Sequence, residues 1–220
     1  MGWVSVSNGS LLTPCRCQWP KREAIFIEGH VGKERAHLYT FEKFQEIAEK
    51  YNRPMLPALV SACAWANGTG QPWVVLVGNP GCGKTMLSLV AGRCLAGSGR
   101  QVAFYTSPAL IDALRAEIRD NIAREKQGRA EFTYRFDYIK GAEHLIIDDL
   151  GMERGTEFAV ERLETILVER SEKRLKTFIT ANTLERISDR VASRFTDKTL
   201  CAFPDISRAV DMRPLLKVVR

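Results

Sequence analysis

Residues 73–85 read Trp73-Val74-Val75-Leu76-Val77-Gly78-Asn79-Pro80-Gly81-Cys82-Gly83-Lys84-Thr85. The stretch Trp73–Val77 is a continuous apolar run rich in valine, the pattern of a strand buried on both faces. The segment Gly78–Thr85 matches G-x-x-x-x-G-K-[ST], and helical spacing begins at Thr85, so the motif stands in the strand, loop and helix setting it requires. Glycines let such a backbone curl until successive N–H groups point at one centre, and the start of the next helix adds its positive dipole end. The pattern predicts a phosphate cradle made of Asn79, Pro80, Gly81, Cys82, Gly83 and Met86. Lys84 would reach the β- and γ-phosphates and the Thr85 hydroxyl would hold Mg²⁺, which makes ATP with Mg²⁺ the expected ligand.

Further short apolar runs at Val102–Thr106, Leu145–Asp148 and Thr177–Ala181, with a weaker one at Thr199–Phe203, alternate with helical stretches at Thr85–Ala96, Pro108–Lys126 and Glu157–Glu172. Strands alternating with helices predict an α/β three-layer sandwich, a five-stranded parallel sheet covered on both faces. Ahead of it, Phe41, Phe44, Ile47, Ala48 and Tyr51 recur at helical spacing behind Thr40, and Leu56–Trp65 forms a second helical stretch.

The run His144-Leu145-Ile146-Ile147-Asp148-Asp149-Leu150 delivers adjacent carboxylates at the C-terminal end of a strand, where ligands bind in open α/β sheets. One acid can serve the metal while the next orients the attacking water; we assign Asp148 to Mg²⁺ and Asp149 to the water. The Thr177–Ala181 run ends at Asn182, a polar group placed to sense the γ-phosphate or that water. A strand between the phosphate loop and the acids, and another after them, matches the ATPase branch of P-loop proteins.

Asp189-Arg190-Val191-Ala192-Ser193-Arg194-Phe195 follows Asn182, and together with Tyr39-Thr40-Phe41-Glu42-Lys43-Phe44 and Ile146-Ile147-Asp148-Asp149-Leu150-Gly151 it resembles the AAA+ ATPases of the DnaC/DnaI helicase-loader and IstB group, relatives of the initiator DnaA. The resemblance covers about Tyr39 to Arg213. It implies that Arg194 is an arginine finger offered to a neighbour's ATP with Arg190 in support, so that hydrolysis depends on assembly; a guanidinium supplied in trans neutralises charge on the transferred phosphoryl group. It also implies a second sensor in Ser207–Arg213, for which Arg213 is our choice and Arg208 the competitor. The wider AAA+ pattern continues into a helical lid, whereas this chain ends at Arg220, so the expectation is a domain lacking a full C-terminal lid. Members of the group carry a helix that tracks single-stranded DNA after the second strand. Here that helix holds Arg115, Arg119, Arg124 and Lys126, with Arg129 just beyond; interleaved acids leave an ordinary solvated face as the other reading.

The implied function is ATP-dependent loading of a hexameric replicative helicase onto single-stranded DNA by a self-associating ATPase. An IstB-like helper of a DNA transposase is the first alternative, and a nucleotide-gated adaptor with little turnover the second. Across 220 residues the chain is 45% apolar and 26% charged, which is globular composition for one good-sized domain. Its +6 charge permits a polyanionic partner without demanding one. No apolar run reaches the roughly 18 residues of a membrane span and the N-terminus lacks a signal pattern, so a cytoplasmic protein is expected. Residues 1–38 show little periodicity and read as a poorly ordered or partner-binding arm, with the ATPase domain at 39–220. Within the arm, Cys15 and Cys17 offer half a zinc site that His30 and His37 complete only on paper.

Overall fold

The computed structural model describes residues 3–5, 12–14, 18–127, 135–151, 157–185 and 187–216. Strand β1 (Trp3–Ser5) pairs antiparallel with β2 (Leu12–Pro14). Helices α1 (Trp19–Val31), α2 (Lys33–Ala36), α3 (Phe41–Tyr51) and α4 (Leu56–Asn67) follow, with a 3₁₀ turn at Arg53–Met55. The alternating part runs β3 (Trp73–Val77), α5 (Lys84–Gly97), β4 (Val102–Thr106), α6 (Ser107–Lys126), α7 (Arg135–Gly141), β5 (His144–Leu150), α8 (Glu157–Glu172), β6 (Lys176–Ala181), α9 (Asp189–Phe195), β7 (Cys201–Ala202) and α10 (Arg213–Leu216).

The main sheet has five strands in the order β4-β5-β6-β3-β7, and every neighbouring pair is parallel. Strand β3 therefore lies inside the sheet with β6 between it and β5, so the phosphate loop and the paired acids leave the same sheet edge one strand apart. This is the expected α/β P-loop architecture of an AAA+ domain. Among the described residues no helical lid follows β7; α10 is the last element.

Strand alternation divides the core into two layers. Val74, Leu76, Ile146 and Phe178 face α1, α3, α4 and α5, while Trp73, Val75, Leu145, Ile147 and Ile179 face α6, α7, α8 and α9. The buried indoles keep their N–H groups paired: Trp65 donates to Pro72 O at 2.9 Å and Trp73 to Leu175 O at 3.1 Å.

Among the described residues, helix α1 at Trp19–Val31 precedes Tyr39, inside the stretch expected to be a poorly ordered or partner-binding arm. Helix α1 lies along α5, with Ile27 buried between them. A Cβ on Gly92 would come within 2.5 Å of the Phe26 ring, and one on Gly99 within 2.3 Å of the Trp19 indole. Glu23 Oε1 accepts from Arg93 Nε at 2.7 Å, and Arg93 Nη1 donates to Ala36 O at 2.8 Å and Tyr39 O at 3.1 Å. The helix is thus fixed by close approach to glycines distant in sequence, a signal its own residues do not carry. Cys15 and Cys17 lie outside the described residues; His30 packs against Phe26 and Phe104, with ring centroids 4.7 and 4.5 Å away.

Candidate nucleotide site

The phosphate loop leaves β3 still paired to β6, with Gly78 N donating to Ala181 O at 3.3 Å. Gly81 and Gly83 have φ of 81° and 109°, a region that L side chains rarely adopt and that the curl of the loop demands. Lys84 is 4% exposed, and its ammonium is held inside the loop: Nζ donates to Gly78 O at 2.8 Å, Asn79 O at 3.0 Å and Asn182 Oδ1 at 3.0 Å. The expected sensor asparagine and the expected phosphate lysine are therefore in direct contact.

The acids are brought in by a β-bulge. Ile147 pairs with Ile179 and Leu150 with Ala181, so β5 carries one residue more than β6 across this interval, and Asp149 takes a positive φ of 55°. Adjacent residues of a regular strand point to opposite faces. The bulge cancels that alternation and lets both carboxylates serve one site. Asp148 Oδ2 accepts from Thr85 Oγ1 at 3.0 Å and its Oδ1 from Thr180 Oγ1 at 2.7 Å; the Thr180 hydroxyl in turn accepts the Asp149 N–H at 2.9 Å. Burial raises the Asp148 carboxyl above the usual carboxylate range, and the Asp149 charge pushes the same way. The Thr180 and Thr85 hydroxyls and the Lys84 charge pull against them.

Lys84, Thr85, Asp149 and Asn182 open on one cleft of about 370 Å³, within the size range of small-molecule sites, with Asp148 and Thr180 buried behind it. Pro80, Gly81, Gly83, Lys84, Thr85 and Met86 line it from the loop and α5, Asp149 and Asn182 from the strand ends, and Arg213 from the start of α10. Cys82 is buried beneath the loop, and Asn79 contributes its carbonyl to Lys84. Of the two sensor candidates Arg213 lines the cleft, while Arg208 is exposed and is not among its lining residues. Arg35 of α2 and Tyr39 also line the cleft. Sequence reasoning did not assign them to the site. Tyr39 stands in the segment that carried the family resemblance, whereas nothing local marks Arg35.

Arg194 is not among the lining residues. It sits on α9 with Nε donating to Ser171 Oγ at 3.2 Å, and Arg190 pairs with Glu164 at 3.5 Å. On α6, Arg115 is half-buried and 3.9 Å from Asp112, while Arg119 and Lys126 are exposed beside the exposed Ile118 and Ile122. The side chain of Arg124, like residue Arg129, lies outside the described parts. Among the described residues no helix is long and apolar enough to cross a membrane.

The family model of IstB-like ATP binding proteins matches residues 36–202. No curated protein matches the chain. Among solved structures, DnaA from Aquifex aeolicus bound to AMPPCP superposes with a TM-score of 0.59 at 17% identity, covering 83% of this chain and 55% of that one. The DnaC helicase loader superposes at 0.56 with 20% identity, covering 69% of this chain and 90% of that one. DnaI superposes at 0.53 with 24% identity, over 70% of this chain and 85% of that one. The chain spans about half the length of the DnaA structure and most of the length of the two smaller proteins.

Proposed function

The chain belongs to the IstB-like ATP-binding protein family within the AAA+ group, and on that premise we propose that it is an ATPase that loads a hexameric replicative helicase onto single-stranded DNA. The observation that carries the ATPase reading is the convergence of Lys84, Thr85, Asp149 and Asn182 on the lining of one cleft, with Lys84 on Asn182 and Thr85 on the buried Asp148 behind it.

The donor set suits Mg²⁺: the Thr85 hydroxyl and Asp148 carboxylate are hard oxygens 3.0 Å apart at the start of the helix. The ion, when bound, supplies charge neutralisation at the β- and γ-phosphates. Lys84 turns from Gly78 O and Asn182 toward the phosphates, which frees Asn182 Oδ1 to accept from the attacking water while its Nδ2 donates to the γ-phosphate. Asp149, on the cleft wall but outside the Thr85 contact, orients that water. Arg194 serves the ATP of a neighbouring subunit, a reading supported by its absence from the lining of its own cleft, and turnover is accordingly slow until subunits assemble. Arg213 contacts phosphate oxygens in cis. Arg115, Arg119, Arg124 and Lys126 follow the DNA backbone from α6.

The loader reading draws on the shared architecture with DnaC and DnaI. The family match favours one second reading, a helper that marks duplex DNA for a transposase. Fluorescence anisotropy on matched single- and double-stranded oligonucleotides, with a non-hydrolysable ATP analogue, separates them. A loader binds the single strand more tightly when ATP is present, with affinity falling steeply with salt. Equal or stronger duplex binding in the ATP state replaces the loader with the transposition helper. Asp149→Asn tests the chemistry in either case: nucleotide stays bound and phosphate release falls by about 10²-fold or more.

A further inference from the structure

Asn52 ends α3 and is 1% exposed, yet it belongs to no motif. Its Oδ1 accepts the Val210 N–H at 3.1 Å; its Nδ2 donates to Val210 O at 3.0 Å and to Cys82 O at 3.3 Å. The orientation of the amide is dictated by its partners, since a backbone N–H can only donate and the carbonyls can only accept. One side chain thus pairs with both backbone groups of Val210, as a strand neighbour would, and spends its remaining N–H on the phosphate loop.

The same chain segment is stitched to the loop again further on. Met212 N donates to Gly81 O at 2.9 Å, and a Cβ on Gly81 would fall 2.1 Å from Asp211 Oδ1. A Cβ on Gly83 would meet Met212 Sδ at 3.0 Å. Residue 213 comes next, and Arg213 lines the cleft. The loop that would wrap the phosphates and the segment leading into Arg213 are therefore joined by the Met212–Gly81 backbone bond, and Asn52 bonds both the loop at Cys82 and the segment at Val210.

We propose that Asn52 is a positioning residue that locks the Val210–Met212 segment to the phosphate loop and so holds Arg213 in register with a bound nucleotide. The proposal rests on the nucleotide reading of the cleft and extends it: it ties the placement of Arg213 to that of the phosphate loop through a side chain outside the cleft lining. It also accounts for a buried asparagine at a helix end where an apolar residue would pack at lower desolvation cost.

The test is a double-mutant cycle on nucleotide affinity, read with a fluorescent ATP analogue on the full chain. Asn52→Ala weakens binding by about tenfold, the scale of one well-placed charge-assisted hydrogen bond. In an Arg213→Ala background the same substitution has almost no further effect, because the group it positions is gone. Equal losses in both backgrounds overturn the proposal. Amide hydrogen exchange of the segment 205–213 is measured alongside: the wild type protects it, and Asn52→Ala exposes it together with the loop peptide 78–83. Unchanged exchange overturns the clasp irrespective of affinity. If the wild type binds no nucleotide, the ATPase reading fails, and the exchange experiment still judges the clasp. Asn52→Ser, which keeps one hydrogen-bonding group, takes the place of the alanine variant in both measurements if the latter does not fold.

Discussion

The Thr180 hydroxyl accepts the Asp149 N–H and donates to Asp148, so a single side chain both fixes the bulge and satisfies the buried carboxylate that the bulge creates. The arrangement does not remove the cost of a charge buried at 3% exposure, which is why burial holds the Asp148 carboxyl above its ordinary range. A carboxyl whose folded pKa lies above its unfolded value adds stability below the unfolded pKa, and loses it as pH rises through the folded one. Asp148→Asn removes that loss. The variant's melting temperature relative to wild type should therefore climb as pH rises from about 4, the unperturbed carboxylate value, to about 8. ATP with Mg²⁺ should invert the order at the upper end, because only the wild-type carboxylate gains the ion. A difference that stays flat with pH would show that Asp148 carries no buried-charge penalty.

At the scale of elements, Arg170 is fully buried and donates to Thr177 Oγ1 and to the carbonyls of Ile139, Lys140, Ala142 and Lys176 at 2.7–3.1 Å. Burial brings the guanidinium pKa down to about 10. The cation sits against the C-terminal carbonyls of α7, where the helix dipole favours positive charge, and ties α7 and α8 to β6. Arg170→Leu leaves those carbonyls unpaired and should cost about 3–5 kcal/mol in urea unfolding, a large share of the 5–15 kcal/mol of an ordinary domain. A loss below about 1 kcal/mol would mean the carbonyls find other partners. Neither Arg170 nor α7 was legible in the sequence. The strands were, because Val74–Val77 and Leu145–Ile147 are apolar without interruption and Phe178–Ala181 is broken only by Thr180, and the phosphate loop was, because its chemistry needs local glycines. Helix α1 was not: Pro20, Gly29 and Gly32 punctuate it, and what holds it is the small size of Gly92 and Gly99 far along the chain. The bulge at Asp149 was likewise invisible, since it is set by register against β6 rather than by β5 alone.

At the scale of the whole molecule the cleft carries Arg213 and Arg35 but not Arg194, whose guanidinium is held on α9 against Ser171. On the proposed nucleotide reading, Lys84, Asn182 and Asp149 are the groups one chain offers to the γ-phosphate, and a trans-acting arginine would add the charge that stabilises the transferred phosphoryl group. If Arg194 completes a neighbour's site, Arg194→Ala should bind the ATP analogue with wild-type affinity yet release phosphate slowly at every protein concentration. Lys84→Ala should fail at the earlier step, losing tight nucleotide binding because the phosphates lose their central cation, while circular dichroism shows the fold retained. Each variant keeps what the other lacks. Mixed at fixed total concentration, they form interfaces in which an intact loop faces an intact Arg194, and phosphate release should rise above the sum of the separate rates, with a maximum near equal proportions. Light scattering on the same mixtures establishes that the variants co-assemble. An additive rate under co-assembly would place the finger elsewhere, and Arg190, one turn before Arg194 on α9 and paired with Glu164 of α8, would be the next residue to replace.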